Sequence, residues 1–509
     1  MSFRRESGIL LHPSSLPGQF GIGSFGPEAY RFADTLNEMG QHLWQILPLG
    51  PTGYGNSPYQ SLSTFAGNHL LISFELLMQD GLLSRSRLRR FPELSDDVVE
   101  FGAAISARTS VLATVCRSFL RRASYSMLSD FEEFCATNAD WLDEYALFVS
   151  IKAAHNGRPW TEWDRELACR KPSRLRKARR ELKTSIRNAK ILQYLFFNQW
   201  SRLRSYCHMS SVRLIGDIPI FVAHDSADVW AHRELFYVKE DGQPLVVAGV
   251  PPDYFSATGQ RWGNPLYRWE VHEERGYAWW IHRMRKILEL VDIVRIDHFR
   301  GFEAYWEIPE EEPTAVNGKW VKGPGDRIFY TMREALGTLP IIAEDLGVIT
   351  AKVRALRDQF IFPGMQVLQF MFSSDSKADE FSPELFPENC VCYTGTHDND
   401  TTVGWFLEDE KTDHTRSQNQ KTRERKAVLS HVKTDGSQIH WDLTQVALMS
   451  SANVAVIPLQ DIMGLGSEAR MNVPGRPNGN WSWRFRWEQL LPDSRLRLRD
   501  MCEEANRIH

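Results

Sequence analysis

Eight short apolar runs, each closing on polar residues and separated by stretches of helical character, constrain this chain more than any other feature. They lie at residues 9–14, 43–49, 212–218, 292–297, 339–344, 365–370, 391–396 and 453–459. Short runs of this kind, alternating with helices, read as the strands of a parallel sheet wrapped by those helices. Several connections carry helix grammar. Pro27 suits a first helical turn, Tyr30, Ala33, Leu36 and Asn37 follow at helical spacing, and Gly40 supplies a left-handed stop. Thr350 stands as a cap before Val353, Leu356 and Phe360, which share one helical face. Eight such strands imply an α/β fold, a closed (β/α)8 TIM barrel.

The spacing of the runs is uneven. Roughly 160 residues part the second from the third, too many for a plain loop in a compact domain. The expected organisation is therefore a catalytic barrel from residues 1–50 and 212–509, with a mainly helical insertion at 51–211. Smaller insertions at 221–291 and 399–451 follow strands and should rise over the active face. The basic stretch 170–190 reads first as a solvated helix face, with a phosphate or partner site as the alternative. About fifty residues follow the eighth run, enough for a closing helix and too few for a large C-terminal β-domain.

Composition narrows the function classes. With 42% hydrophobic and 24% charged residues, the 509-residue chain has material for a large core. Sixty lysines and arginines stand against 64 acids, a net charge of -4, which gives no electrostatic reason to expect nucleic acid or an anionic membrane. A neutral substrate suits this balance. The apolar residues 9–11 are stopped by His12 and Pro13, too short for a signal peptide, and no run reaches transmembrane length. Seven scattered cysteines without a C-x-x-C pair point to a reducing cytoplasm, with Cys390 and Cys392 as packing residues. Metal, nucleotide and dinucleotide motifs are missing, so no cofactor is expected.

The chemistry gathers at the strand ends. Alternation puts Ile293, Arg295 and Asp297 on one face of the fourth run. If that face lines the barrel, the cation answers the acid and holds Asp297 ionised, although a plain buried ion pair would read the same way. The fifth run ends in Glu344 and Asp345, which point to opposite faces. Beside an ionised Asp297, Glu344 should have its pKa raised by burial and like charge, as a general acid requires, while Asp345 orients neighbours or caps the loop before Gly347. The seventh run closes on Thr396, His397, Asp398, Asn399 and Asp400, also an ordinary turn sequence when seen alone. Asp217 at the third strand end reads equally as a substrate-facing group or a cap. Two carboxylates flanking a glycosidic bond suffice to break or transfer it, and a third can hold ring hydroxyls.

At these residues the sequence resembles the amylomaltases, the 4-α-glucanotransferases or disproportionating enzymes of bacteria and plants. The resemblance rests on L-H-P-S-S-L-P at 11–17, L-P-L-G-P-T-G at 47–53, G-N-S-P-Y at 55–59 and G-D-I-P-I at 216–220. It continues with Q-R-W-G-N-P at 260–265, R-I-D-H-F-R-G at 295–301, A-E-D-L-G at 343–347, G-T-H-D-N at 395–399 and N-G-N-W at 478–481. It is weakest across 82–190. The resemblance implies a barrel without a C-terminal β-domain and without a metal requirement. It implies Asp297 as nucleophile, Glu344 as acid/base and Asp398 as transition-state stabiliser, with Arg295 and His397 as their supports. Ser57, Tyr59, Asp217, Gln260, Trp262, Asn264 and His298 match positions lining glucan subsites, and Asp345 and Ser467 join the substrate-binding set.

Two loops of that family, matching 249–264 and 461–471 here, cover the groove and keep water out, with Tyr254, Phe255 and Trp262 as candidate stacking faces. Ser467 stands where some relatives carry asparagine. The expected activity is transfer of α-1,4-glucan segments from a maltooligosaccharide or starch-type donor to the 4-hydroxyl of a glucan or glucose. The competing readings are a hydrolase of the same architecture and a catalytically silent glucan-binding scaffold.

Overall fold

The computed structural model of the chain describes residues 3–252, 256–372, 383–407, 418–476 and 478–508. Tyr254 and Phe255 lie outside the described residues. The described strands in chain order are β1 (Glu6–Leu10), β2 (Leu43–Gln45), β3 (Arg213–Pro219), β4 (Val246–Val250), β5 (Gln260–Pro265) and β6 (Ile293–Asp297). They continue with β7 (Ala304–Pro309), β8 (Lys319–Lys322), β9 (Ile341–Ala343), β10 (Gly364–Val367), β11 (Cys390–Tyr393) and β12 (Val454–Pro458).

Eight of these form one sheet in the order β10-β11-β12-β1-β2-β3-β6-β9. Every pair in it is parallel. The seam is bridged where Ala343 N–H donates to Pro363 O at 2.9 Å, just ahead of β10, so the sheet closes into the expected barrel. Each of the eight predicted runs overlaps one of these strands. They were recognisable because a strand covered by helices outside and by side chains inside is apolar along its length, as Val391, Cys392 and Tyr393 are.

The strands are mostly shorter than the runs, the second ending at Gln45 and the seventh at Tyr393, and two boundaries have a clear local cause. The first strand begins at Glu6 and ends at Leu10, earlier than the run at 9–14, because Pro13 opens a 3-10 turn, Pro13–Ser15. Glu6, Ser7 and Gly8 look polar in sequence yet are buried. Glu6 pairs with Arg213, and a Cβ at Gly8 would come within 2.4 Å of the Leu43 backbone oxygen. The sixth strand stops at Val367, and the rest of its run turns into the short helix Leu368–Met371.

Helices follow the predicted grammar. Pro27–Glu38 buries Ala29, Phe32, Ala33 and Leu36 and ends before Gly40, whose φ is 69°. Thr350 caps Ala351–Gln359 by accepting from Val353 N–H at 3.4 Å. Between β2 and β3 stand mainly helices, the longest being Lys183–Met209. Its Gln193 and Gln199 side chains bond the backbone of Gly67 and Ser73, and Trp200 Nε1 reaches Leu290 O at 2.9 Å. The basic stretch is laced to acids: Arg170 and Arg179 share Glu144, and Arg174 holds Asp164 at 2.9 Å. That is the pattern of a solvated, salt-bridged helix face.

The strands β5-β4-β7-β8 form a separate antiparallel sheet that the run pattern does not reveal. The β5 sequence is polar and ends in proline, and the chain reaches β7 only after passing through β6. This sheet stands beyond the ends of β3 and β6 in the chain and carries Gln260, Trp262 and Asn264.

Candidate active site

Strand register brings the first cluster together. Asp217 on β3 lies opposite Arg295 on β6, and Pro219 lies opposite Asp297. On the other flank, Ile296 lies opposite Ala343, which places Glu344 on the next rung beside Asp297. The inward face of β6 therefore presents Arg295 and Asp297, as alternation requires.

The Arg295 guanidinium is buried and donates to both acids, at 2.6 Å to Asp217 Oδ2 and at 3.0 Å to Asp297 Oδ1. Its Nε lies 3.4 Å from Met365 Sδ on β10. A charge so deep in the barrel persists because two carboxylates answer it, and Arg295 stays protonated although its burial opposes that. The same Asp217 oxygen accepts from Tyr59 Oη at 2.7 Å. Burial and Asp217 keep that phenol protonated. The Tyr59 ring stacks on His397 at 5.0 Å, and His397 Nε2 lies 3.4 Å from Asp398 Oδ1. A continuous chain of contacts thus runs from Asp297 through Arg295, Asp217, Tyr59 and His397 to Asp398.

Glu344 is held by backbone donors: His298 N–H to Oε2 at 2.6 Å and Leu346 N–H to Oε1 at 2.9 Å. His298 adopts a left-handed conformation, φ 56°, at the turn that follows Asp297. Its side chain is half-buried with Nε2 inside and bonding no described residue, and its pKa is pushed down to about 3 by burial with Arg300 adding. Trp262 meets it edge to face at 4.9 Å.

The electrostatics separate the two central acids. Burial, and then the charge of Asp297, push the Glu344 carboxyl up to about 7 against Arg295 and the two backbone donors. Asp297 shifts in the same direction. Burial lifts its carboxyl above the ordinary value, Arg295 opposes this without cancelling it, and Asp217 and Asp398 add to the rise. The ion pair with Arg295 favours the ionised form of Asp297, while partial burial of the side chain, 32% exposed, works against it.

The remaining predicted residues divide. Ser57 Oγ accepts from Tyr59 N–H at 3.2 Å, and Gln260 Oε1 accepts from Trp262 Nε1 at 3.1 Å. Asn264 is buried, donating to Val222 O at 2.9 Å and meeting Gln60 Nε2 at 3.4 Å. Ser467 donates to Asp400 Oδ2 at 2.7 Å, so it ties the loop 461–471 to the Asp398 segment. Asp345 is not brought to the cluster. Its carboxylate is occupied by Arg357 at 2.5 Å and Met365 N–H at 2.8 Å, because alternation sends it to the face opposite Glu344.

Three residues escaped the sequence reading. Asn472 Nδ2 donates to Asp398 Oδ1 at 2.6 Å, and Arg470 donates to Asp398 O at 2.7 Å. His12 is buried near His397, its pKa pushed down to about 3 by burial with His397 adding. No role was read for these side chains: the first two lie in or beside the predicted cover of 461–471, and His12 lies in the block 11–17 that carries the resemblance. No cluster of histidine, cysteine and acidic residues able to hold a metal occurs among the described residues.

Such a site can attack an acetal carbon with one carboxylate while a second, protonated near neutral pH, delivers its proton to the departing oxygen. Comparison with known proteins agrees in kind. The profile of the 4-alpha-glucanotransferase family matches residues 11–490. A 4-alpha-glucanotransferase of Thermus thermophilus is 47% identical over 517 residues, covering 100% of both chains. One of a Synechocystis strain is 49% identical over 490 residues, covering 96% of this chain and 95% of that relative. The amylomaltase of Streptococcus agalactiae in complex with acarbose superposes with a TM-score of 0.94 at 36% identity, over 99% of this chain and 100% of that one.

Proposed function

This chain belongs to the 4-alpha-glucanotransferase family and transfers glucan segments, and we propose that it does so by a retaining double displacement on Asp297. One observation carries the mechanism: two acids end neighbouring strands at one level of the barrel, and the second is pushed up to about 7 beside the first. At neutral pH that pair holds one carboxylate ready to attack and one proton ready to give.

In the first half-reaction the Asp297 carboxylate attacks the anomeric carbon of the donor. Glu344 gives its proton to the glycosidic oxygen, and the shorter glucan leaves. The enzyme then carries a β-linked glycosyl ester on Asp297. In the second half-reaction the Glu344 carboxylate takes the proton of an acceptor 4-hydroxyl. The acceptor oxygen attacks the same carbon, Asp297 is released, and the α configuration is restored. One glycosidic bond is exchanged for another, so no activated nucleotide is consumed.

Asp398 holds hydroxyls of the reacting ring, while His397, Tyr59 and Asp217 keep it and Arg295 in register. His298, Trp262, Gln260, Asn264 and Ser57 contribute to the glucan subsites. Donors are maltooligosaccharides or starch-type glucans, and acceptors are glucans or glucose. The loops 249–264 and 461–471 exclude water from the ester, so the acceptor captures it instead. Seven free thiols are compatible with a reducing cytoplasm.

Incubation with maltotriose tests the reading. Transfer yields glucose and a ladder of longer and shorter maltooligosaccharides with a nearly constant number of reducing ends. Reducing ends that rise with every cleavage establish a hydrolase instead, and unchanged maltotriose establishes a silent binder.

A further inference from the structure

The segment 395–401, which carries His397 and Asp398, leaves the barrel at Thr394 and rejoins regular structure at Thr402, the first residue of the helix Thr402–Leu407. One side chain holds both ends. Asp461, in the short helix Leu459–Ile462 directly after β12, is 1% exposed. Its Oδ2 accepts from Thr394 Oγ1 at 2.6 Å and from Thr402 Oγ1 at 2.8 Å, and its Oδ1 accepts from Thr402 N–H at 2.7 Å. β11 and β12 are paired neighbours, so the anchor is set by the barrel rim itself.

Burying a carboxylate this fully is costly, and the three donors directed at it offset that cost only while both threonines keep their places. The stretch that begins at Asp461 then reaches the far side of the same segment. Ser467 bonds Asp400, Arg470 bonds the Asp398 carbonyl, and Asn472 bonds the Asp398 carboxylate. The segment is therefore gripped at its base and at its tip by one continuous stretch of chain, residues 461–472.

We propose that Asp461 is a positioning residue for the transfer reaction, closing the base of the segment so that Asp398 meets the reacting ring at the correct distance. It touches neither substrate nor the reacting atoms. The inference rests on the role given above to Asp398. Misplacement of a catalytic group by about 1 Å costs on the order of a hundredfold in rate, so loss of the clasp should appear in kcat.

The test uses the full-length enzyme on maltotriose, with kcat, KM and melting temperature measured for Asp461→Asn, Asp398→Asn and the double variant. For folded Asp461→Asn, kcat is expected to fall about tenfold or more with KM changed less than about threefold. The cost of Asp398→Asn should then shrink at least about fivefold in the Asp461→Asn background, because an Asp398 already out of place has less to lose.

A folded Asp461→Asn enzyme within about twofold of the parent kcat overturns the inference, as do multiplicative costs in the double variant. Should Asp461→Asn fail to fold, Thr394→Val with Thr402→Val removes two donors and keeps the carboxylate, and the same coupling to Asp398→Asn decides. Unimpaired Asp398→Asn on its own would instead sink the role of Asp398, and the clasp with it. Impaired Asp398→Asn with uncoupled costs sinks the clasp alone.

Discussion

Asp297 and Glu344 stand at or just beyond the ends of paired strands, where strand register sets their level and buried or backbone donors hold them. Asp398 stands five residues past β11, its side chain 49% exposed, and is held by side chains from a stretch that begins after the last strand. The first arrangement is specified by barrel pairing and tolerates little relaxation. The second depends on a few hydrogen bonds between loops. A site built from both takes two acids from strand register and a third from hydrogen bonds between loops.

Three variants sharpen or break that contrast. The largest effect should come from the rigid side. Asp217→Asn leaves the buried Arg295 with Asp297 as its one ion-pair partner among the described residues, and it should cost about 3 kcal/mol of stability and on the order of a hundredfold in kcat. Chemical denaturation with maltotriose kinetics checks this; parent-like values for both would show that the strand cluster is not held by its charges.

A smaller effect belongs to the loop side. Asn472→Ala removes one donor to the Asp398 carboxylate, and kcat should fall roughly tenfold with the denaturation midpoint barely changed. A loss of stability as large as that of Asp217→Asn would erase the distinction between the two regions.

The smallest effect concerns pH. The Glu344 carboxyl is raised to about 7 in the folded enzyme, above its ordinary value near 4.5, so the native state binds more protons than the unfolded chain between those values. Stability contributed by this group is fully present below the lower value and is lost as pH rises through about 7. Glu344→Gln should therefore melt roughly 1–3 °C above the parent at pH 8, with the gap closing toward pH 4.5. An equal gap at both pH values would refute the raised pKa.

Much of this contrast was readable from residues alone. Runs such as residues 391–396 announced buried parallel strands, and alternation along residues 293–297 put Arg295 and Asp297 on one face. Glu344 could be separated from Asp345 for the same reason, and the structure shows why: one joins the acids while the other is tied to Arg357. What stayed hidden depends on distance in the chain. The start of β1 was missed because Glu6, Ser7 and Gly8 are buried by partners distant in the chain, Arg213, Leu43 of β2 and the β12 strand. The sheet of β4, β5, β7 and β8 escaped because its first two strands meet the other two across an intervening barrel strand. The covering loop 461–471 was marked, but the particular parts of Asp461 and Asn472 were not, since they depend on Asp398, Thr394 and Thr402 folding against them.

The covalent step is open to direct inspection. Treatment with a fluorinated α-glucosyl fluoride that forms the ester quickly and loses it slowly, followed by proteolysis and mass spectrometry, locates the glycosylated residue. One sugar per chain on the peptide bearing Asp297 is the expected result, with none in Asp297→Asn. A label on Glu344 or Asp398, or an active enzyme that never acquires one, would contradict the assignment of Asp297 as nucleophile.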